Sequence, residues 1–118
     1  MSPGTAAAAP AHALVVLVTA PDSDTASRLG RTLVDEGLAA CVNILPGVRS
    51  IYRWQGGVHD EPEVLCLIKS RRDLYPALRD RLVALHPYQV PEIIGFTPTE
   101  GNAPYLRWIF DTTRSGQG

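Results

Sequence analysis

The segment that best combines chemically useful side chains is LHPYQVPEII, residues 85–94. Its two prolines stiffen a short link that carries an imidazole at His86 and a carboxylate at Glu92. An imidazole and a carboxylate, together with a thiolate as a third ligand, suit a borderline or soft divalent metal such as copper. Cys41 is a thiol that the fold could bring to this link. We therefore take His86, Glu92 and Cys41 as candidate metal ligands.

Each of these residues also has a simpler structural interpretation. His86 lies where a helix should end, so it could cap the helix C-terminus. Glu92 could pair with an arginine or a lysine, and Cys41 could be a small buried hydrophobe in an apolar strand. The sequence leaves both interpretations open.

Other catalytic constellations are absent from the sequence. Neither His12, His59 nor His86 belongs to a nucleophile motif such as G-x-S-x-G. The chain has no phosphate-binding or dinucleotide-binding glycine motif and no CxxC pair. We expect a protein that is not an enzyme and needs no cofactor beyond a divalent metal.

The elements that must position these residues follow from periodicity and turn signals. Apolar runs predict strands, and apolar residues at helical spacing predict helices. The expected strands are 14–19, 40–54, 63–69 and 92–97; the expected helices are 22–36, 72–86 and 103–111. The order β-α-β, then β-α-β, predicts an α/β (α+β) fold, a ferredoxin-like split βαβ sandwich. Its antiparallel four-stranded sheet would carry a long β2–β3 hairpin and an extra C-terminal helix.

Length and composition allow one domain, at residues 13–114, with short disordered tails at 1–12 and 115–118. A net charge of −1 gives no concentrated basic face, so no nucleic-acid partner is expected. The N-terminal segment lacks a basic, apolar export signal, and the apolar run 14–18 is too short for a membrane span. We expect a cytoplasmic protein without membrane association, and two reduced, buried thiols.

The predicted hairpin is longer than the helices that should cover it. Residues 40–54 would extend about 50 Å, whereas a fifteen-residue helix spans only about 22 Å. The overhang would expose Ile51, Tyr52 and Trp54 to water, at about 25 cal/mol per Å² of apolar surface. Docking on a neighbouring subunit would cover them. The alternative is a hairpin that folds back at Pro46 and Gly47.

At these residues the chain resembles the CutA divalent-cation-tolerance family. The similarity runs over about residues 14–112, in collinear blocks. The blocks are VTAPD (18–22), LAACVNI (38–44), PGVRSIYRW (46–54), EVLCLIKS (63–70), LHPYQVPEI (85–93) and YLRWI (105–109).

The resemblance implies a homotrimer whose hairpins extend between neighbours, tolerance of copper and other divalent cations, and no established reaction. The copper site proposed in the family uses a cysteine in the first strand and a histidine pair before Pro-Tyr. Here those positions hold Val18 and the pair Leu85 and His86, so only His86 is retained. Cys41 or Glu92 would have to complete the site.

The resemblance also extends to the architecture of the PII signalling proteins, trimers that bind small ligands in clefts between subunits. Two hypotheses therefore stand: a trimer that binds a divalent metal, or a signalling or scaffold module that binds a small anionic ligand or a protein. Lys69, Tyr88 and Glu92 near a cleft would favour the second. The aromatic residues expected at a cleft or an interface are Tyr52, Trp54, Tyr88, Tyr105 and Trp108.

Overall fold

The computed structural model describes residues 13–114, and both predicted tails lie outside this range. The strands are β1 (Ala13–Ala20), β2 (Cys41–Trp54), β3 (Gly57–Arg71) and β4 (Ile93–Phe96). The helices are α1 (Ser23–Asp35), α2 (Tyr75–Leu85), preceded by a 3₁₀ turn at Arg72–Leu74, and α3 (Ala103–Thr112). Within this part of the chain no helix is long and apolar enough to cross a membrane.

Local signals set the helix ends. The Asp22 carboxylate accepts a hydrogen bond from the Thr25 N–H at 2.8 Å and so caps α1. Gly37 ends that helix in the left-handed conformation, with φ +73°, which a residue with a Cβ adopts only with strain.

The four strands form one antiparallel sheet in the order β2-β3-β1-β4. β1 lies in the middle, with Leu17 opposite Leu67 of β3 on one side and Ile94 of β4 on the other. The sheet and its three helices are the predicted ferredoxin-like α+β sandwich, so the fold prediction is confirmed.

One face of the sheet carries the core. Alternate residues of β1 and β3 point toward α1 and α2, because successive strand residues project to opposite faces. The fully buried members include Val16, Val18, Cys66 and Ile68 from the sheet and Leu33, Leu78 and Leu82 from the helices.

The opposite face, which we call the open face, is covered within residues 13–114 only at its Arg71 end, where Ala13 packs with Leu106 and Ile109 of α3. The register places these apolar residues on it: Val15, Leu17, Leu45, Leu65, Leu67, Ile94 and Phe96. Ile94 and Phe96 are 49% and 51% exposed. The apolar run of β1 predicted a strand covered on both faces, whereas the single chain covers one face fully and the open face only near Ala13.

The hairpin of β2 and β3 extends beyond the helices as a two-stranded ribbon, and the chain is 54 Å long but only 25 by 22 Å across. A bulge at Pro46 and Gly47 interrupts the ladder between Leu45 and Val48, as predicted. Pairing resumes at Val48 and continues to Trp54. The fold-back alternative is therefore wrong.

The two cysteines have different environments. Cys66 is 1% exposed in the core, and burial raises the pKa of its thiol. Cys41 is only half-buried, because it starts the edge strand β2 on the open face, opposite Lys69. The prediction of a buried thiol is correct for Cys66 and wrong for Cys41.

Candidate functional site

His86 follows the last residue of α2 and is buried, with 7% of its surface exposed. Its Nε2 lies 2.7 Å from the Thr19 carbonyl oxygen, and its Nδ1 accepts the Tyr88 N–H at 3.1 Å. Since a carbonyl can only accept, Nε2 is the donor, and since an amide N–H can only donate, Nδ1 is the acceptor. Both ring nitrogens are thus engaged: Nε2 joins the link to β1, and Nδ1 forms a hydrogen bond within the link itself. A metal ion could bind the ring only where one of these bonds opens.

Tyr88 joins the same link to the base of the hairpin. Its hydroxyl donates to the Glu63 carboxylate at 2.6 Å, and its ring lies 4.7 Å from the His86 ring. Burial, together with the hydrogen bond to Glu63, raises the Tyr88 pKa far above its usual value. The phenol therefore stays a protonated donor at physiological pH.

Between the link and the hairpin lies a cavity of about 520 Å³, which we call the hairpin cleft. Three aromatic rings line it, those of Tyr52, Trp54 and Tyr88, together with the carboxylates of Glu63 and Glu92. The other lining residues are Thr19, Ser50, Ile51, Gln89 and Val90. Its volume lies within the range of small-ligand sites.

The charge in the cleft is negative. Glu92 is exposed and belongs to none of the ion pairs formed within residues 13–114, contrary to its simpler interpretation. Near the rim, the Tyr52 hydroxyl donates to Glu61 at 2.7 Å, and this bond raises the Tyr52 pKa. The cleft therefore favours a cationic ligand over an anionic one.

Cys41 does not lie near His86 within one chain. Cys41 is opposite Lys69 on β3, while Thr19, which contacts His86, is opposite Leu65. Four residues along a strand correspond to about 13 Å, and the two sites flank β3 on different sides. Nowhere in residues 13–114 do three His, Cys, Asp or Glu side chains form a group that could hold a metal. Of the three candidate ligands, only His86 and Glu92 share the link.

Lys69 lies on the open face, not in the hairpin cleft. Its ammonium donates to the Asn43 side-chain oxygen, which also lies 4.0 Å from the Cys41 sulfur. The polar group formed by Cys41, Asn43 and Lys69 therefore lies at the end of the sheet away from the hairpin cleft. Within a single chain Lys69 therefore does not line the cleft that contains Tyr88 and Glu92, and its place at an interface or at a cleft between subunits stays a prediction.

The aromatic residues separate into two groups. Tyr105 and Trp108 stack on α3 with ring centroids 5.6 Å apart and are 40% and 42% exposed. α3 packs at the Arg71 end of β3, where Arg71 lies over the Phe110 ring at 4.5 Å. Trp54 is opposite Gly57 at the other end of β3, more than about 40 Å away along the strand. These rings do not form one pocket within the chain.

Thr19 and Glu63 are among the cleft residues that the sequence did not identify. Thr19 is the last polar residue of an apolar strand, and Glu63 precedes the apolar part of β3. The signal that could have found Glu63 is the hairpin register, which places it on the same side as Tyr52 and Trp54.

Comparisons with known proteins agree with this architecture. Residues 14–112 match the family described as CutA1 divalent ion tolerance protein. The divalent-cation tolerance protein CutA of Thermus thermophilus is 50% identical over 99 residues, which cover 84% of this chain and 96% of that protein. Human protein CutA is 41% identical over 106 residues, 90% of this chain but only 59% of the human protein. The solved CutA1 of Oryza sativa superposes with a TM-score of 0.86 at 42% identity, covering 90% of this chain and 97% of that one.

Proposed function

Because the chain belongs to the CutA1 divalent ion tolerance protein family, we propose that it acts in divalent cation tolerance as a non-enzymatic homotrimer that binds copper or a similar metal. The observation that carries this proposal is the family match over residues 14–112, nearly the whole described chain. Relatives are named as tolerance proteins, not as enzymes. The absence of a nucleophile motif in the sequence is consistent with that.

Two features support assembly into a trimer. The open face exposes Ile94, Phe96 and Leu45, an apolar surface that a solitary soluble chain normally buries. The ribbon beyond the bulge likewise exposes Ile51 and Val58, each at 65%. A neighbouring copy that covers the open face and supports the ribbon would remove both from water.

The supply of ligands indicates where copper would bind. Tight sites generally use three or four protein ligands. The His86 ring is engaged on both nitrogens, and the Cys41 thiol lies half-buried on the open face. We therefore place the metal between copies, with Cys41 or Glu92 as a ligand, and expect modest affinity.

A copper titration followed by calorimetry tests this proposal. Replacing Cys41 with Ser should weaken Cu(I) binding about tenfold, because the hydroxyl is a much poorer ligand for a soft metal than the thiolate. Glu92→Gln should have a smaller effect, and Lys69→Gln, next to Cys41 but not a ligand, is the matched control. All variants should lack residues 1–12, which carry His12. Equal affinity in wild type and both ligand variants would remove Cys41 and Glu92 from the metal site.

The PII-like alternative gives a different result in the same titration. A small anionic ligand needs positive charge, but the ionisable residues lining the hairpin cleft are two glutamates and two tyrosines. We expect no heat from ATP. Saturable binding of ATP would favour the signalling hypothesis over the metal hypothesis.

A further inference from the structure

We propose that the hairpin cleft binds a small organic cation, an alkylammonium or guanidinium group, against its aromatic rings. This inference does not rest on the proposed copper binding: the two proposals share only Glu92, and Cys41 lies outside the cleft. The cleft combines three aromatic side chains with two carboxylates, and among the described residues that line it none is Lys, Arg or His. Aromatic faces attract cations through the ring quadrupole, and carboxylates add net charge.

The aromatic rings are well suited to hold a positive charge. The phenols of Tyr52 and Tyr88 each donate to a carboxylate, Glu61 and Glu63 respectively, at 2.7 and 2.6 Å. Donation to an anion polarises the O–H bond and increases the electron density of the ring. Trp54, whose indole gives the strongest cation–π attraction, completes the lining.

The donor set favours an organic cation over a bare metal ion at this position. A divalent metal needs several oxygen, nitrogen or sulfur atoms converging within about 2.0–2.6 Å. Across residues 13–114 no such group of three His, Cys, Asp or Glu side chains exists. An organic cation needs only apolar contact and diffuse negative charge, and a cavity of about 520 Å³ is larger than a metal ion requires.

Glu92 is the residue that would respond to the ligand's charge. It is exposed, lies at the cleft, and has no ion-pair partner within the described residues, whereas Glu63 is already bonded to Tyr88. A carboxylate without a partner at the edge of an aromatic cavity leaves its charge available to a ligand. Tyr88 acts by holding Glu63 and the link in place.

The chain offers a clean fluorescence test, because it has two tryptophans and only Trp54 lines the cleft. In the full-length Trp108→Phe variant, Trp54 is the sole indole; in Trp54→Phe, Trp108 is the control. The probe is tetramethylammonium chloride, with tert-butanol as a neutral compound of similar shape and sodium chloride at equal ionic strength. We expect a saturable change in Trp54 emission with tetramethylammonium and no saturable change with the other two, and none in Trp54→Phe.

Adding Glu92→Gln to Trp108→Phe should weaken tetramethylammonium binding about tenfold, and Tyr88→Phe should weaken it severalfold. Glu100→Gln, an exposed glutamate outside the cleft, should leave it unchanged. The proposal would be overturned if Trp54 emission did not respond to tetramethylammonium, which is the result expected when a second copy fills the cleft. It would also be overturned if Glu92→Gln left the response unchanged. A response to tert-butanol equal to that of tetramethylammonium would show a merely apolar pocket and would also overturn it. The Cys41→Ser arm of the copper titration is independent of these results, because Cys41 lies outside the cleft.

Discussion

Replacing Ile94 with Lys is expected to convert the assembled protein into a monomer. Ile94 lies on β4 in the open face, opposite Leu17, and is 49% exposed in the single chain. The substitution therefore costs the isolated chain little. In a trimer that buries the open face, each subunit would lose about 2 kcal/mol of apolar burial and would also bury an unpaired charge.

Sedimentation equilibrium measures this effect directly. Wild type should sediment at about 38 kDa, three times the chain mass of 12.8 kDa, and Ile94→Lys at 12.8 kDa. The matched control is Val83→Lys on α2, which replaces an equally exposed apolar residue, at 54%, away from the open face. The control should remain trimeric. A wild-type mass of 12.8 kDa, or an Ile94→Lys variant that keeps the wild-type mass, would refute the assembly through this face.

Replacing His86 with Ala should cause a loss of about 3 kcal/mol in the free energy of unfolding. The variant removes the donor to the Thr19 carbonyl and the acceptor for the Tyr88 N–H, leaving both groups without their partner. It also leaves a cavity where a ring with 7% exposure was packed. The link should then detach from β1, and with it the contact between Tyr88 and Glu63.

Urea unfolding at equal protein concentration tests this prediction, since assembly makes stability depend on concentration. His59→Ala is the matched control: this ring only stacks on Tyr52, at 5.2 Å, on the ribbon. The control should lose no more than about 1 kcal/mol. If both variants were equally stable, His86 would not anchor the link, and its ring would be free for another role.

Much of the fold is readable from local patterns. The helical spacing of Leu74, Leu78 and Leu82 predicts the buried stripe of α2, and Pro46-Gly47 predicts the bulge, because each signal acts within a few residues.

The start of β3 was less predictable. Residues 58–62 are mostly polar and were expected to precede the strand, yet they pair with β2. β1 pairs with β3 only as far as Val64, which is opposite Ala20. Pro62 lies beyond that point, so no strand on that side requires the N–H group that proline lacks.

The site was only partly predictable, for a physical reason. The spacing of His86, Tyr88 and Glu92 identified the link, but what each side chain contacts depends on residues distant in sequence. Tyr88 and Glu63 are 25 positions apart, and His86 and Thr19 are 67 apart. Such contacts follow from sheet register and crossover, which periodicity does not encode. Hence the sequence suggested His86 as a ligand, while the folded chain uses it as an anchor.

The bulge also has a consequence for the lengths that this chain can tolerate. One extra residue on β2 inverts the alternation, so that odd positions up to Leu45 and even positions from Val48 share the open-face side. Deleting Gly47 would remove the extra residue and leave Tyr52 and Trp54 opposite His59 and Gly57, on the side that they occupy now. Deleting Ser50, inside the regular ladder, would instead place Ile51 and Arg53 opposite Glu61 and His59, on the side that Tyr52 and Trp54 now occupy. Outside the bulge, single-residue insertions and deletions, which surface loops usually accept, therefore reverse the face of the strand residues that follow, and homologous hairpins should differ in length there only by paired changes on both strands.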